Sequence, residues 1–461
     1  MNRIDIMDNR TIAAVATPNA PGGIGIVRIS GENAIEIASK IFRPVSGKNL
    51  AESKGYQAHF GDVYENNEKI DEAVCLVFRA PRSYTGEDTA EISCHGGLYV
   101  TKRVLRAALN AGAMPAQAGE FTKRAFLNGK IDLAAAESVM ALIGASGKQA
   151  AAAALNTLDG NLSREIRGVA QSSVSICASL AAWVDYPDDD IEDISSLDML
   201  PVFENAKKEI SDIIRRYDCG RAVTDGIDAV IVGKPNVGKS TLMNMLTGFE
   251  RSIVTDIAGT TRDVVEEKIV LGEIIMRVAD TAGIRETENI VENIGVNLAK
   301  QRLERAELVL AVFDGSEPLT ADDFDIINYS KTKRAIALLN KSDLPLSADR
   351  KIIADAFNYV VELSASTGEG RDELEKAVAE ICSTNEFDPN AACLTSERQR
   401  QCCVNALTSI EEAIDAINCG ITLDAVNVCA DCAINALLEL TGEKATSAVV
   451  DEVFSRFCVG K

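Results

Sequence analysis

Histidine is nearly missing: the 461 residues hold two, His59 and His95. Only one C-x-x-C frame occurs, Cys429 and Cys432, on an alanine-rich helical stretch. A His- or Cys-built zinc site therefore lacks ligands, and these cysteines are read as small buried helix-packing residues. Positive charge is also scarce. Lys and Arg number 47 against 69 Asp and Glu, a net charge of -22. That balance argues against a broad basic face, the usual footprint of direct nucleic-acid binding, and leaves a local basic patch or a basic partner open. No apolar run reaches bilayer-spanning length, and "MNRIDIMDNR" has no apolar signal-peptide core. The expectation is a cytoplasmic protein without a membrane segment, its twelve cysteines reduced. There is no internal repeat.

What is present is a folding composition: 46% of residues are hydrophobic. The length calls for two to four domains. Residues 1–127 mix strand and helix signals. "TIAAVA", "IGIVRI", "AVCLVF" and "TAEISCHGG" read as strands, and "LYVTKRVLRAALNAG" as a helix closed near Gly112. Residues 128–221 turn helical, interrupted by the acidic stretch "DYPDDDIED", which is read as a solvated loop. From 222 to 380 strands and helices alternate, the pattern of a mostly parallel sheet. Residues 381–461 are helical again. The expected fold class is α/β and α: an N-terminal α+β domain, a split helical domain, and an α/β domain inserted into it.

The inserted domain carries four ordered motifs, each at a strand end. "GKPNVGKS", Gly233 to Ser240, fits G-x-x-x-x-G-K-[ST] after the buried strand "DAVIVG". Its glycines let the backbone wrap phosphate oxygens, Lys239 reaches the β- and γ-phosphates, and Ser240 ligates Mg²⁺. "TDIAGTTRD", 255–263, occupies the position of a first switch, with Thr261 as the second Mg²⁺ ligand. "DTAG", 280–283, follows "IIMRVA". Asp280 is placed to hold Mg²⁺ through water, and the Gly283 amide to bond the γ-phosphate. "NKSD", Asn340 to Asp343, supplies a carboxylate for N1–H and the 2-amino group of guanine, a donor pair adenine lacks. "SAS", Ser364, Ala365 and Ser366, suits a backbone contact to guanine O6. Together they predict a Ras-like P-loop domain binding GTP. Asn236, Val237, Gly238 and Thr241 of the P-loop, Thr255, Asp256, Ile257, Ala258, Gly259 and Thr260 of the first switch, Thr281 and Ala282, and Lys341 complete the expected nucleotide set. One position is anomalous: Ras-type GTPases follow DTAG with a water-orienting glutamine, and here stands Ile284.

These motifs, with "TPNAPGGIGIVRISG", "SYTGEDTAEISCHGG", "GEFTKRAFLNGKIDLAAAE" and the tail "FCVGK", resemble the MnmE (TrmE) family of tRNA uridine-modification GTPases along the whole chain. The resemblance implies an answer to Ile284. In this family G domains pair across their nucleotides and K⁺ enters the site. The K⁺ ligands map to Asn236, Thr255, the Ile257 carbonyl and Thr260, and the water is positioned through the downstream glutamate Glu292. It also implies that the N-terminal domain binds 5-formyl- or methylene-tetrahydrofolate through Arg28, Glu91, Lys130 and Lys461, and that it forms a homodimer. The implied partners are a FAD-dependent MnmG (GidA) protein, in a heterotetramer, and tRNA. The implied product carries an aminomethyl or carboxymethylaminomethyl group on C5 of the wobble uridine. Cys458 is a candidate nucleophile toward uracil, its alternative an ordinary exposed thiol. "TSERQRQCC" lacks the Arg-His that family members carry there, and the P-loop variants Lys234 and Val237 are read as neutral. Two other readings share the nucleotide motifs: a regulatory GTPase of ribosome or RNA maturation without covalent chemistry, and a folate-binding dimer whose nucleotide domain only senses.

Overall fold

In the computed structural model, residues 10–185, 196–224, 226–248, 266–279, 306–382, 384 and 387–461 are described. They form two compact units. One comprises Met1–Met140, Leu158–Lys207 and Gln401–Lys461, the other Ala141–Thr157 and Lys208–Arg400.

The first unit opens with β1 (Ile12–Val15), β2 (Ile24–Ser30), α1 (Ala34–Ile41), β3 (Phe42–Pro44), β4 (Gln57–Glu65), β5 (Glu68–Phe78), β6 (Thr89–His95), α2 (Leu98–Asn110), β7 (Met114–Pro115) and α3 (Glu120–Leu127). Its sheet runs β3-β4-β5-β6-β2-β1-β7. All pairings are antiparallel except β1 with β7. Side chains alternate across such strands. Val27, Ile29, Cys75, Val77, Ala90 and Ile92 point under α1 and α2 into one core. On the opposite face Ile26, Arg28, Phe60, Val74, Glu91 and Ser93 stand in register, half-buried or exposed, while toward β1 the face is covered, with Ile12 and Ala14 packed on Phe121. No helix among the described residues is long and apolar enough to cross a membrane.

Helices follow: α4 (Leu133–Gly144), α5 (Lys148–Leu158), α6 (Asn161–Asp185) and α7 (Ser196–Thr224). Near the chain's other end lie α12 (Glu397–Asn418), α13 (Leu423–Thr441) and α14 (Ser447–Ser455). Phe126, Leu133, Val450, Phe454 and Phe457 form a core that joins α3 and the start of α4 to α14. Arg167 of α6 reinforces the unit by bridging Asp132 and Glu443. Thr446 caps α14 by accepting the Val449 amide.

Between α7 and α12 the second unit holds β8 (Ile227–Val232), α8 (Lys239–Thr247), β9 (Glu266–Leu271), β10 (Ile274–Ala279), β11 (Leu308–Asp314), α9 (Ala321–Ser330), β12 (Ala335–Asn340), α10 (Arg350–Ala356), β13 (Tyr359–Glu362) and α11 (Arg371–Ile381). The sheet order is β13-β12-β11-β8-β10-β9, parallel except for the β9–β10 hairpin. Every residue of β11 and β12 is buried. Alternation sends Leu308, Leu310, Val312, Ile336 and Leu338 into one core. It sends Val309, Ala311, Phe313, Ala337 and Leu339 into another on the opposite face. Each large side chain so buried contributes about 1.5–3 kcal/mol from area removed from water. A sheet covered on both faces leaves only its strand ends for chemistry.

Candidate functional site

In the second unit the strand ends bring the sequence motifs together. β8 delivers the chain to the P-loop, which enters α8 through Gly238 at φ 96°. A side chain there would run into Asn340 Nδ2. Asn236, exposed beside it, also sits left-handed, at φ 63°, a conformation asparagine tolerates. Val237 is fully buried in the main core and anchors the loop. Lys239 Nζ donates to the Gly233 and Lys234 carbonyls at 2.7 and 2.8 Å. Burial holds its pKa below the ordinary lysine range, so a polyphosphate is a favourable counter-charge there. Ser240 and Thr241 are exposed on the first turn of α8, where helix N–H groups favour anions.

Asn340, at the end of β12, is 2% exposed and uses both ends of its amide as a strut. Its Nδ2 donates to Val237 O at 2.7 Å, and its Oδ1 accepts from Ala365 N at 2.9 Å. The P-loop and the Ser364–Ser366 loop are thus fixed to one side chain. Ser364 Oγ donates to Asp343 Oδ1 at 2.6 Å and lies 2.9 Å from Ser366 Oγ. This leaves Asp343, itself exposed, with carboxylate capacity for a ligand. Lys341, at φ 67°, turns back to bridge Asp314 Oδ2 at 2.6 Å. Burial pulls the Asp314 carboxyl upward, but Lys341 and the Ser316 hydroxyl and amide outweigh it, and its pKa lies below the usual range. Thr255, Asp256, Ile257, Ala258, Gly259, Thr260, Thr261, Asp280, Thr281, Ala282, Gly283, Ile284 and Glu292 lie outside the described residues.

In the first unit, register does what motif spacing does in the second. Arg28 on β2 stands directly opposite Glu91 on β6. Arg28 Nε donates to Glu91 Oε1 at 2.7 Å, with the two side chains 15% and 19% exposed. Arg28 also donates to the Gly460 carbonyl at 3.3 Å. The tail reaches it as an extra strand segment: Val459 bridges Ala118, Gly119 N donates to Cys458 O at 3.3 Å, and Phe121 N to Lys461 O at 3.2 Å. Gly460 is buried at φ 98°, and any side chain there would strike the Val15 carbonyl. Cys458 is exposed.

Sequence reasoning missed Tyr84, whose ring centroid lies 5.6 Å from the Arg28 guanidinium carbon, with Phe121 at 5.5 Å. Tyr84 Oη lies 2.9 Å from Thr122 Oγ1. The same loop receives Lys130, which donates to Pro81 O at 3.0 Å, and Asn128, which donates to Thr85 O at 2.7 Å. The 81–88 loop thus ties Lys130 to the surroundings of Arg28. An aromatic in "SYTGED" was the available signal, a surface tyrosine its default meaning.

Residues 133–458 match the MnmE helical domain model, and residues 11–130 match the GTP-binding protein TrmE N-terminus model. The chain is similar to the tRNA modification GTPase MnmE of Acetivibrio thermocellus, 40% identical over 459 residues, spanning 98% of this chain and 99% of the relative. The MnmE of Thermoanaerobacter pseudethanolicus is 38% identical over 456 residues, spanning 98% and 99%. Among solved structures, an Aquifex aeolicus Era variant bound to GDP·AlF4⁻ aligns with 40% of this chain and 66% of its own, at 30% identity and a TM-score of 0.27.

Proposed function

The chain belongs to the MnmE family of tRNA modification GTPases, and on that premise we propose a potassium-dependent GTP hydrolase coupled to a folate site. The observation that carries the reading is the Asn340 strut, which fixes the phosphate loop and the guanine-side loop in one geometry. GTP is the substrate. Ser240 and Thr261 would hold Mg²⁺. Asn236, Thr255, Ile257 and Thr260 would hold K⁺, which supplies the positive charge that an arginine finger supplies elsewhere. The fit rests on Asn236 and Ser240, both exposed at the loop's open side. Lys239 neutralises phosphate charge, and Glu292 orients water where Ile284 cannot.

The N-terminal unit offers a second site. Glu91 can grip a pterin edge by paired hydrogen bonds, and Arg28, Lys130 and Lys461 suit the carboxylates of a folate tail. The half-buried Arg28–Glu91 pair, held against the tail by the Gly460 carbonyl, supports this. The bound folate would supply the one-carbon unit. Ile24, Phe60 and Val74, exposed at 65%, 57% and 40% on the sheet's open face, support a homodimer through that face. With a FAD-dependent MnmG-type partner, the product is tRNA modified at C5 of its wobble uridine. The charge of -22 suits a division of labour in which the partner supplies RNA-binding surface.

The test is steady-state GTP hydrolysis by the purified chain in KCl and in NaCl at equal ionic strength. Strong turnover in KCl alone is expected. Equal low rates would remove the K⁺ assignment. In parallel, deletion of Cys458 to Lys461 should abolish the modified wobble nucleoside in tRNA while GTP turnover persists. An unchanged nucleoside profile would favour the regulatory GTPase.

A further inference from the structure

The Lys234 side chain has no role in the nucleotide chemistry described above, yet it is built into the fold. Its side chain is 12% exposed, its ammonium meets Asp323 Oδ2 at 3.1 Å, and the Asp323 side chain is 1% exposed. The same Oδ2 accepts the Thr320 amide and hydroxyl, each at 2.8 Å, closing a capping box at the start of α9. Asp323 Oδ1 is buried with no hydrogen-bond partner among the described residues. Lys234 is therefore the counter-ion of a buried carboxylate. Exposed Glu317, at 3.8 Å, is only a distant second partner. The backbone of Lys234 has another duty, since its carbonyl receives the Lys239 ammonium at 2.8 Å.

We propose that Asp323 is a positioning residue for GTP hydrolysis. Through Lys234 it fixes the carbonyl cradle that aims Lys239 at the phosphates. Neutralising Asp323 frees the Lys234 side chain and lets this stretch of the P-loop shift. Lys239 acts on charge that grows toward the transition state, so its misplacement costs turnover more than ground-state binding.

The experiment uses full-length Asp323→Asn, Lys234→Met/Asp323→Asn, Lys234→Arg and Thr320→Val proteins. Each is assayed for kcat and KM with GTP, for dissociation of a fluorescent GDP analogue, and for Tm. Asp323→Asn and the double variant are expected to lose about tenfold in kcat with KM raised less than about threefold, short of the roughly 100-fold cost of a 1 Å misplacement at the reacting centre. GDP release should quicken in both. Lys234→Arg keeps a positive charge beside Asp323 and should lose less kcat than Asp323→Asn. Thr320→Val removes one hydroxyl bond to the same Asp323 oxygen but leaves the carboxylate charge and the Thr320 amide bond, so it should lower Tm and cost kcat less than Asp323→Asn does. Wild-type kcat and GDP release in Asp323→Asn would overturn the proposal. So would a kcat loss in Thr320→Val equal to that of Asp323→Asn at matched Tm, because Asp323 would then only stabilise α9. Should the double variant fail to fold, Asp323→Asn and Lys234→Arg still decide between these outcomes.

Discussion

The two sheets of this molecule solve the same problem in opposite ways. The parallel sheet buries both faces, and its chemistry is pushed to the loops where β8 and β12 end. The antiparallel sheet buries one face under α1 and α2 and leaves much of the other open, so Arg28 and Glu91 stand on the sheet itself. A strand-end site is made of contiguous loop residues. A face site is made of residues that register brings together, 63 positions apart for Arg28 and Glu91. The first kind can be read as a string. The second exists only after pairing.

If the sites are separate in this way, each should fail without the other. The largest expected effect is Lys239→Ala, which should cut GTP turnover by roughly 100-fold or more, the scale of one lost transition-state donor. Calorimetric binding of 5-formyl-tetrahydrofolate should stay unchanged. A parallel loss of folate affinity would break the comparison. Next is Glu91→Gln, which leaves Arg28 on the Gly460 carbonyl. A charge-assisted bond is worth about 1.5–3 kcal/mol, so folate affinity should fall about 10- to 150-fold with GTP turnover intact. Unaltered affinity would take Glu91 out of the site.

Asn340→Ala sharpens the strand-end half. It orphans the Val237 carbonyl and the Ala365 amide, and buried groups left unpaired cost about 1–3 kcal/mol each. Denaturant titration should show that loss in the nucleotide-binding unit, and guanine-nucleotide affinity should fall with it. A wild-type midpoint would show that the strut carries no load. The smallest effect is in the open-faced sheet. Arg106 is the main cause, opposed by burial and aided by Arg103, that holds the Glu65 carboxyl at about 2, from an ordinary 4.5. A depressed folded pKa stabilises above the unfolded value and loses that contribution as pH falls through the folded one. Stability of the N-terminal unit should therefore decline between about pH 4.5 and 2. Glu65→Gln should flatten that slope, as followed by circular dichroism.

Legibility followed the same divide. The apolar runs before the P-loop and Asn340 are β8 and β12, because a strand buried on both faces must be continuously apolar. β6 showed its alternation, and β1, β2 and β5 were legible as short apolar strand segments. β4, "QAHFGDVYE", was not read as a strand: its alternation holds, but the buried positions are Gly61, Val63 and Glu65, only one of them a large apolar residue. Gly61 in the same strand packs where a side chain would meet the backbone of Arg43. Asn340 was legible as part of a guanine motif but not as a strut, since both its partners lie on other loops. Tyr84 was illegible because only the fold puts Arg28 beside its ring. Lys234 looked neutral because its partner lies 89 positions away.

The Arg28–Gly460 contact spans 432 positions of sequence. A ribosome adding 5–20 residues/s needs about 20–90 s to travel that distance. For that interval the nascent chain carries β2 and β6, and from midway the strands and loops of the nucleotide-binding sheet as well, while Arg28 still waits for its last neighbour. Translation thus delivers the strand-end site first and finishes the face site only when residues 458–461 emerge, so a prematurely released chain keeps the phosphate loop yet lacks the segment that closes over Arg28.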